Sequence, residues 1–123
     1  MSNDQVSKSK YDLEERTAKF GEEVIKFTKK IPRKVDTLPL IGQLVRAGTS
    51  VGANYCEADD AESKQDFKHK LGICKKEARE TKHWLRMIVV AESNLTEEAR
   101  ILWQEAKELN LIFNSITNKL KEK

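Results

Sequence analysis

Apolar side chains recur along this chain in alternating steps of four and three, broken at three places. The first stripe is Leu13, Thr17, Phe20, Val24, Phe27 and Ile31. On a helix, that spacing holds one face toward a partner. Pro32 ends the stripe, because the residue before a proline is driven out of the α region, so Ile31 is the expected last helical position. Asp36-Thr37-Leu38-Pro39 reads as a new helix start, with Thr37 as the cap and the proline harmless in a first turn. The second stripe is Ile41, Leu44, Gly48, Val51, Tyr55 and Ala58. Gly48 and Gly52 form a ridge of small residues on it. A glycine inside a helix costs about 1 kcal/mol, so two of them point to close approach by another helix.

Glu57, Asp59, Asp60 and Glu62 gather at the next break, near Ala61, and Ser63 with Asp66 resembles a capping box. The third stripe runs Phe67, Leu71, Cys74, Ala78, Thr81, Leu85, Ile88 and Glu92, on a helix expected to be ~45 Å long. Ser93 and Asn94 close it. Thr96 is the expected cap of a fourth helix, with Glu97 and Glu98 favouring its positive N-terminal end. Its stripe is Leu95, Ala99, Leu102, Ala106, Leu109, Phe113, Ile116 and Leu120. Four amphipathic segments with short connections predict an all-α fold, an antiparallel up-down-up-down four-helix bundle over residues 11–123. Residues 1–10 are polar and aperiodic and are expected to be a flexible arm.

Composition changes this picture little. The chain has 123 residues, enough for one core, and 35% of them are charged, so solubility is expected. No apolar run approaches a membrane span, and MSNDQVSKSK holds no signal core, which predicts a cytoplasmic protein without a membrane role. Cys56 and Cys74 form no CxxC pair and lie out of register across the hairpin, so both are expected to be free thiols packed as small hydrophobes. Trp84, Met87, Val90, Ile101, Trp103 and Ile112 fall off the stripes. They predict self-association through a second apolar face.

Charge is more informative where it is uneven. Residues 63–94 carry 8 basic and 4 acidic side chains, although the whole chain is only +3. Lys64, Lys68, Lys75, Arg79, Lys82 and Arg86 fall on one face of the third helix. Such a row can track phosphates, whose contacts give salt-sensitive affinity for RNA or DNA. Asp66, Glu77 and Glu80 interrupt it, and a solvated face of an ordinary bundle is the bland alternative. Arg46, Ser50, Asn54 and Glu57 form a polar row on the second helix, with Glu77 and Glu80 across the hairpin. These six are candidates for a structural hydrogen-bond network that fixes register, independent solvated groups being the alternative.

Catalytic patterns are wanting. Glu80-x-x-His83 has the spacing of a di-iron bundle ligand pair, but its companion Asp66-x-x-His69 lies on the same helix, ~21 Å away. The acidic turn lacks the glycine and spacing of a calcium loop. There is no GxSxG and no phosphate loop, so no enzyme activity, metal or cofactor is expected.

Two segments carry a family resemblance. QLVRAGTSVGANYCEA resembles the pattern QLxRAxxSvxxNiaEg, and SKQDFKHKLGICKKEARETKHWLRMI resembles the helix that follows it. Both are features of the four-helix-bundle proteins encoded in intervening sequences of bacterial 23S ribosomal RNA genes, sometimes labelled the ribosomal protein S23 family. That family is in turn similar to the accessory variability proteins of diversity-generating retroelements. The resemblance covers Tyr11 to Leu120 and is most specific at Arg46, Ser50, Asn54, Glu57, Glu77 and Glu80. It departs at Cys56-Glu57-Ala58, where the family has Ala-Glu-Gly, so a different helix end is expected. The resemblance implies a homopentameric ring and brings no catalytic residues. For the retroelement relatives it also implies nucleic acid and a reverse transcriptase as partners. The expected function is a non-enzymatic oligomeric scaffold that binds RNA or DNA through a basic surface. The alternative is a structural or protein-binding oligomer with no nucleic-acid role.

Overall fold

The computed structural model describes residues 12–121. They form four helices: α1 (Leu13–Thr28), α2 (Thr37–Asp59), α3 (Lys64–Ala91) and α4 (Thr96–Lys121). A single 3₁₀ turn, Ser93–Leu95, leads into α4, and no strand occurs among the described residues. None of these helices is long and apolar enough to cross a membrane. The expected arm, residues 1–10, lies outside the described residues.

The four stripes converge on one core. Phe20, Val24, Leu44, Val51, Leu71, Leu85, Ile88, Leu109 and Phe113 are all buried within it. Each such side chain contributes about 1.5–3 kcal/mol relative to an exposed one. Ile41, Tyr55, Phe67 and Ile116, near the stripe ends, are half-buried against the same cluster.

Several boundaries differ from expectation, and each has a local cause. Helix α1 ends at Thr28, not Ile31. The N–H groups of Lys29, Lys30 and Ile31 turn back to carbonyls three residues earlier. The Arg33 guanidinium takes the Thr28 and Ile31 carbonyls, both at 2.7 Å. Ile31 is buried all the same, entering the core from the turn. Thr37 does not cap α2. Its hydroxyl accepts the Lys34 N–H at 2.8 Å and donates to the Pro32 carbonyl at 2.5 Å, closing the connecting loop on itself. Thr96 likewise donates backward, to the Ser93 carbonyl at 2.6 Å. Caps do form at Asp12 and Ser63, whose side chains accept the N–H groups of Glu15 and Asp66. Cys56 is exposed and not packed, whereas Cys74 is buried under α2 and both thiols are free. Burial pushes the Cys74 thiol up to about 12.

The small-residue ridge meets α1. A Cβ built on Gly48 would stand 2.8 Å and 2.9 Å from the two methyls of Val24, and one on Gly52 would be 3.2 Å from the Thr17 carbonyl oxygen. Gly21 reciprocates, facing the Thr49 backbone at 3.4 Å. By contrast, a Cβ on Gly72, in α3, meets nothing within 4 Å. Gly72→Ala should therefore stabilise the protein by about 0.5–1 kcal/mol through helix propensity alone, read from a urea unfolding midpoint.

The seams between helices are unequal. Helix α2 packs along α1 and α3, and α3 along α4, but α1 and α4 touch over far less of their length. A groove of about 460 Å³ is left between them, floored by Phe20, Phe27 and Leu102. Arg16 spans it to Glu105 at 2.7 Å and Glu108 at 2.9 Å, and Lys30 spans it to Glu98.

A basic face on α3 and the polar seam behind it

Helix α3 serves three environments at once. Its stripe enters the core, one flank meets α2, and the other flank meets α4. Steps of four and three, with one of seven, place Lys64, Lys68, Lys75, Arg79, Lys82 and Arg86 within an arc of roughly 60°. Lys64, Lys68, Arg79 and Arg86 are exposed. Lys75 and Lys82 are half-buried because they lean on α4. Lys75 Nζ donates to Asn114 Oδ1 at 3.2 Å, and Asn110 Nδ2 donates to the Lys75 carbonyl at 2.8 Å. Lys82 Nζ stands over the Trp103 ring, 5.0 Å from its centroid, and Lys107 Nζ reaches the same ring at 5.8 Å.

Among the described residues, none of these six cations lies in ion-pair contact with a carboxylate. Arg16, Lys34, Arg46 and Lys70, on other faces, each hold at least one. Two of the acids that interrupt the basic row in sequence are drawn away from it by the fold. Glu77 and Glu80 both reach across to Arg46 on α2, Glu77 Oε1 at 3.2 Å. Glu80 also accepts the Trp84 indole N–H at 3.0 Å, and Gln43 accepts from Arg46 Nε at 3.0 Å. Glu77 is almost wholly buried, at 9% exposure, and the Arg46 guanidinium is its ion-pair partner.

The other members of the polar row do not join this cluster. Ser50 Oγ donates to the Arg46 carbonyl and Asn54 Nδ2 to the Ser50 carbonyl, both within α2. Glu57 pairs with Lys70 at 2.7 Å, at the hairpin end. The structure thus joins Arg46, Glu77 and Glu80 and leaves Ser50, Asn54 and Glu57 apart.

The remaining candidates are separated too. Glu80 is engaged by Arg46 and Trp84, while the exposed His83 packs edge-on to the Trp84 ring at 4.9 Å. His69 lies with Lys64 and Lys68 in a shallow hollow near the start of α3. Among the described residues, no group of three or more potential ligands could hold a metal ion. Three of the off-stripe apolar residues, Trp84, Trp103 and Ile101, fall on different seams. Trp84 belongs to the α2 flank of α3, Trp103 to the seam with α3 on α4, and Ile101 to the α1–α4 groove. Their scatter follows from helix geometry, since Ile101 and Trp103 project from opposite sides of Leu102.

Sequence reasoning did not single out the α4 side of the basic face. Trp103, Lys107, Asn110 and Asn114 carry a signal that could have found it, the same four-three spacing as the core stripe, displaced around the helix. What hides it is chemistry. An aromatic, a cation and two amides do not read as one surface until the partner helix is in place.

Known proteins agree with this architecture. No curated protein matches the chain. A crystal structure of a protein of unknown function from the S23 ribosomal protein family of Bacteroides thetaiotaomicron VPI-5482 is similar, with a TM-score of 0.78. The two are 30% identical over 85% of this chain and 94% of that one. The model of the 23S rRNA-intervening sequence protein family matches residues 9–115. The four helices, the hairpin that carries Arg46 and Glu77, and a family match over most of the chain lead to one conclusion: this protein belongs to the 23S rRNA intervening-sequence protein family.

Proposed function

We propose that the protein is a non-enzymatic cytoplasmic scaffold that associates with copies of itself and binds RNA or DNA through the α3–α4 face. One observation carries the nucleic-acid reading: six cations share an arc of α3, and none has a carboxylate partner among the described residues. Cations with no carboxylate partner stay available to phosphate, most directly the exposed Lys64, Lys68, Arg79 and Arg86. The removal of Glu77 and Glu80 to Arg46 strengthens the field on that side.

An up-down-up-down course is supported by the direction of the pairings. Arg46 meets Glu80 while Glu57 meets Lys70, and Lys82 meets Trp103 while Lys75 meets Asn114. Val90, Ile101 and Leu111, exposed at 80%, 71% and 57%, favour self-association, and the family resemblance suggests a pentameric ring. A ring would repeat the basic face around an axis. A reverse transcriptase or other protein partner rests on resemblance alone.

The test is a salt titration of binding to generic RNA and DNA, starting near 50 mM, where phosphate contacts are strongest. The variant Lys64→Gln/Lys68→Gln/Arg79→Gln should lower the slope of log affinity against log salt by about 2 or more, without changing the unfolding midpoint. No binding by the wild type at ~50 mM salt would leave the rival reading, a purely structural or protein-binding oligomer. Light scattering at tens of micromolar that showed only a monomer would remove the scaffold.

A further inference from the structure

We infer that Trp103 is a base-stacking platform, so that the preferred ligand of the basic face is single-stranded nucleic acid. This inference rests on the phosphate-binding reading above and adds a specificity to it. Trp103 is 36% exposed, a large area for an indole, and it lies beside the cation row at Lys82. Both nearby ammoniums, Lys82 and Lys107, stand within reach of its ring, at 5.0 Å and 5.8 Å from the centroid. The indole's electron-rich π system is therefore within reach of two cations of the α3–α4 seam.

A base laid on that ring would bring its flanking phosphates close to the two ammoniums. Each could exchange a cation–π contact for a stronger pairing with a phosphate oxygen. Lys75, held on Asn114, continues the row along the same seam, and Arg79 and Arg86 border it on the solvent side. A cationic track with an aromatic beside it is the arrangement that holds single strands, whose bases are free to leave the stack. A duplex keeps its base faces inside and can use only the cations. Trp84 is not equivalent, because its N–H is bonded to Glu80 and one side of its ring meets His83.

The experiment compares fluorescein-labelled oligouridylate and oligothymidylate of about 15 nucleotides with a duplex of the same length, by anisotropy at low salt. The proteins are the full chain, Trp103→Leu, which keeps apolar bulk without a π face, and Trp103→Phe, which keeps a smaller one. Circular dichroism melts check that the variants fold.

Trp103→Leu should lose roughly 5- to 150-fold in single-strand affinity, the range for one stacked base, and leave duplex affinity unchanged. Trp103→Phe should recover most of that loss, and indole emission should fall when wild type binds a single strand. Wild-type affinity in Trp103→Leu, or an equal loss on single strand and duplex, would overturn the inference. In both cases the phosphate reading survives, and in the second Trp103 merely positions Lys82 and Lys107. Failure of wild type to bind any probe would overturn both.

Discussion

Gly48→Val should destabilise the fold by about 3 kcal/mol, a large share of the 5–15 kcal/mol that holds a domain of this size together. Even the first added carbon would lie 2.8 Å from one Val24 methyl and 2.9 Å from the other. Val24 is fully buried and β-branched, so it has no rotamer to yield into. Helix propensity pushes the other way, since valine is a better helix residue than glycine by a few tenths of a kcal/mol. Overpacking wins by several-fold. Gly48→Ala should be milder but of the same sign. Because the clash has a single named partner, Val24→Ala should partly rescue Gly48→Ala, giving a favourable coupling in a double-mutant cycle. Strict additivity in urea melts would mean that the two helices separate rather than repack.

Arg46→Met should cost about 2–3 kcal/mol, for an electrostatic and not a steric reason. Glu77 is buried beneath the guanidinium, whereas Glu80 is half-exposed and can fall back on water and the Trp84 N–H. The loss is therefore expected to reside in Glu77. Arg46→Met/Glu77→Leu should recover much of it, because an apolar pair leaves no charge unpartnered. Arg46→Lys should recover little, since one ammonium lacks the fork that reaches Gln43, Glu77 and Glu80 together. If Arg46→Met and wild type melt at the same urea concentration, the network contributes nothing to stability.

These two residues also show how far the chain can be read without its fold. Gly48 and Gly52 were legible as a contact ridge, because glycine in a helix interior needs a compensating approach. That the approaching helix is α1 was not, because spacing along one helix carries no information about which neighbour it meets. Arg46, Glu77 and Glu80 were legible as polar groups beside apolar stripes. Ser50, Asn54 and Glu57 share their pattern, yet Ser50 and Asn54 turn back to carbonyls of their own helix, while Glu57 crosses to α3 only at the hairpin end, where it meets Lys70 instead of the Arg46 cluster.

The boundaries teach a related lesson. Pro32 marks a break correctly, but α1 stops at Thr28 because Arg33 captures the last carbonyls from outside the helix. Thr37 has the composition of a cap and closes a loop instead, since its hydroxyl oxygen accepts the Lys34 N–H while its proton goes to the Pro32 carbonyl. Propensity names the residues able to satisfy backbone groups, and local geometry chooses which groups they satisfy.

By itself the sequence determined the four helices, the identity of the core face on each, and the row of cations on α3. All of these depend on periodicity along a single helix, which the order of residues contains in full. Only the tertiary structure decided that Glu77 and Glu80 turn to Arg46, that Trp103 and Lys107 complete the basic face, and that Trp84, Trp103 and Ile101 lie on three different seams. Those facts depend on how helices rotate against one another, a choice made jointly by all four faces through packing.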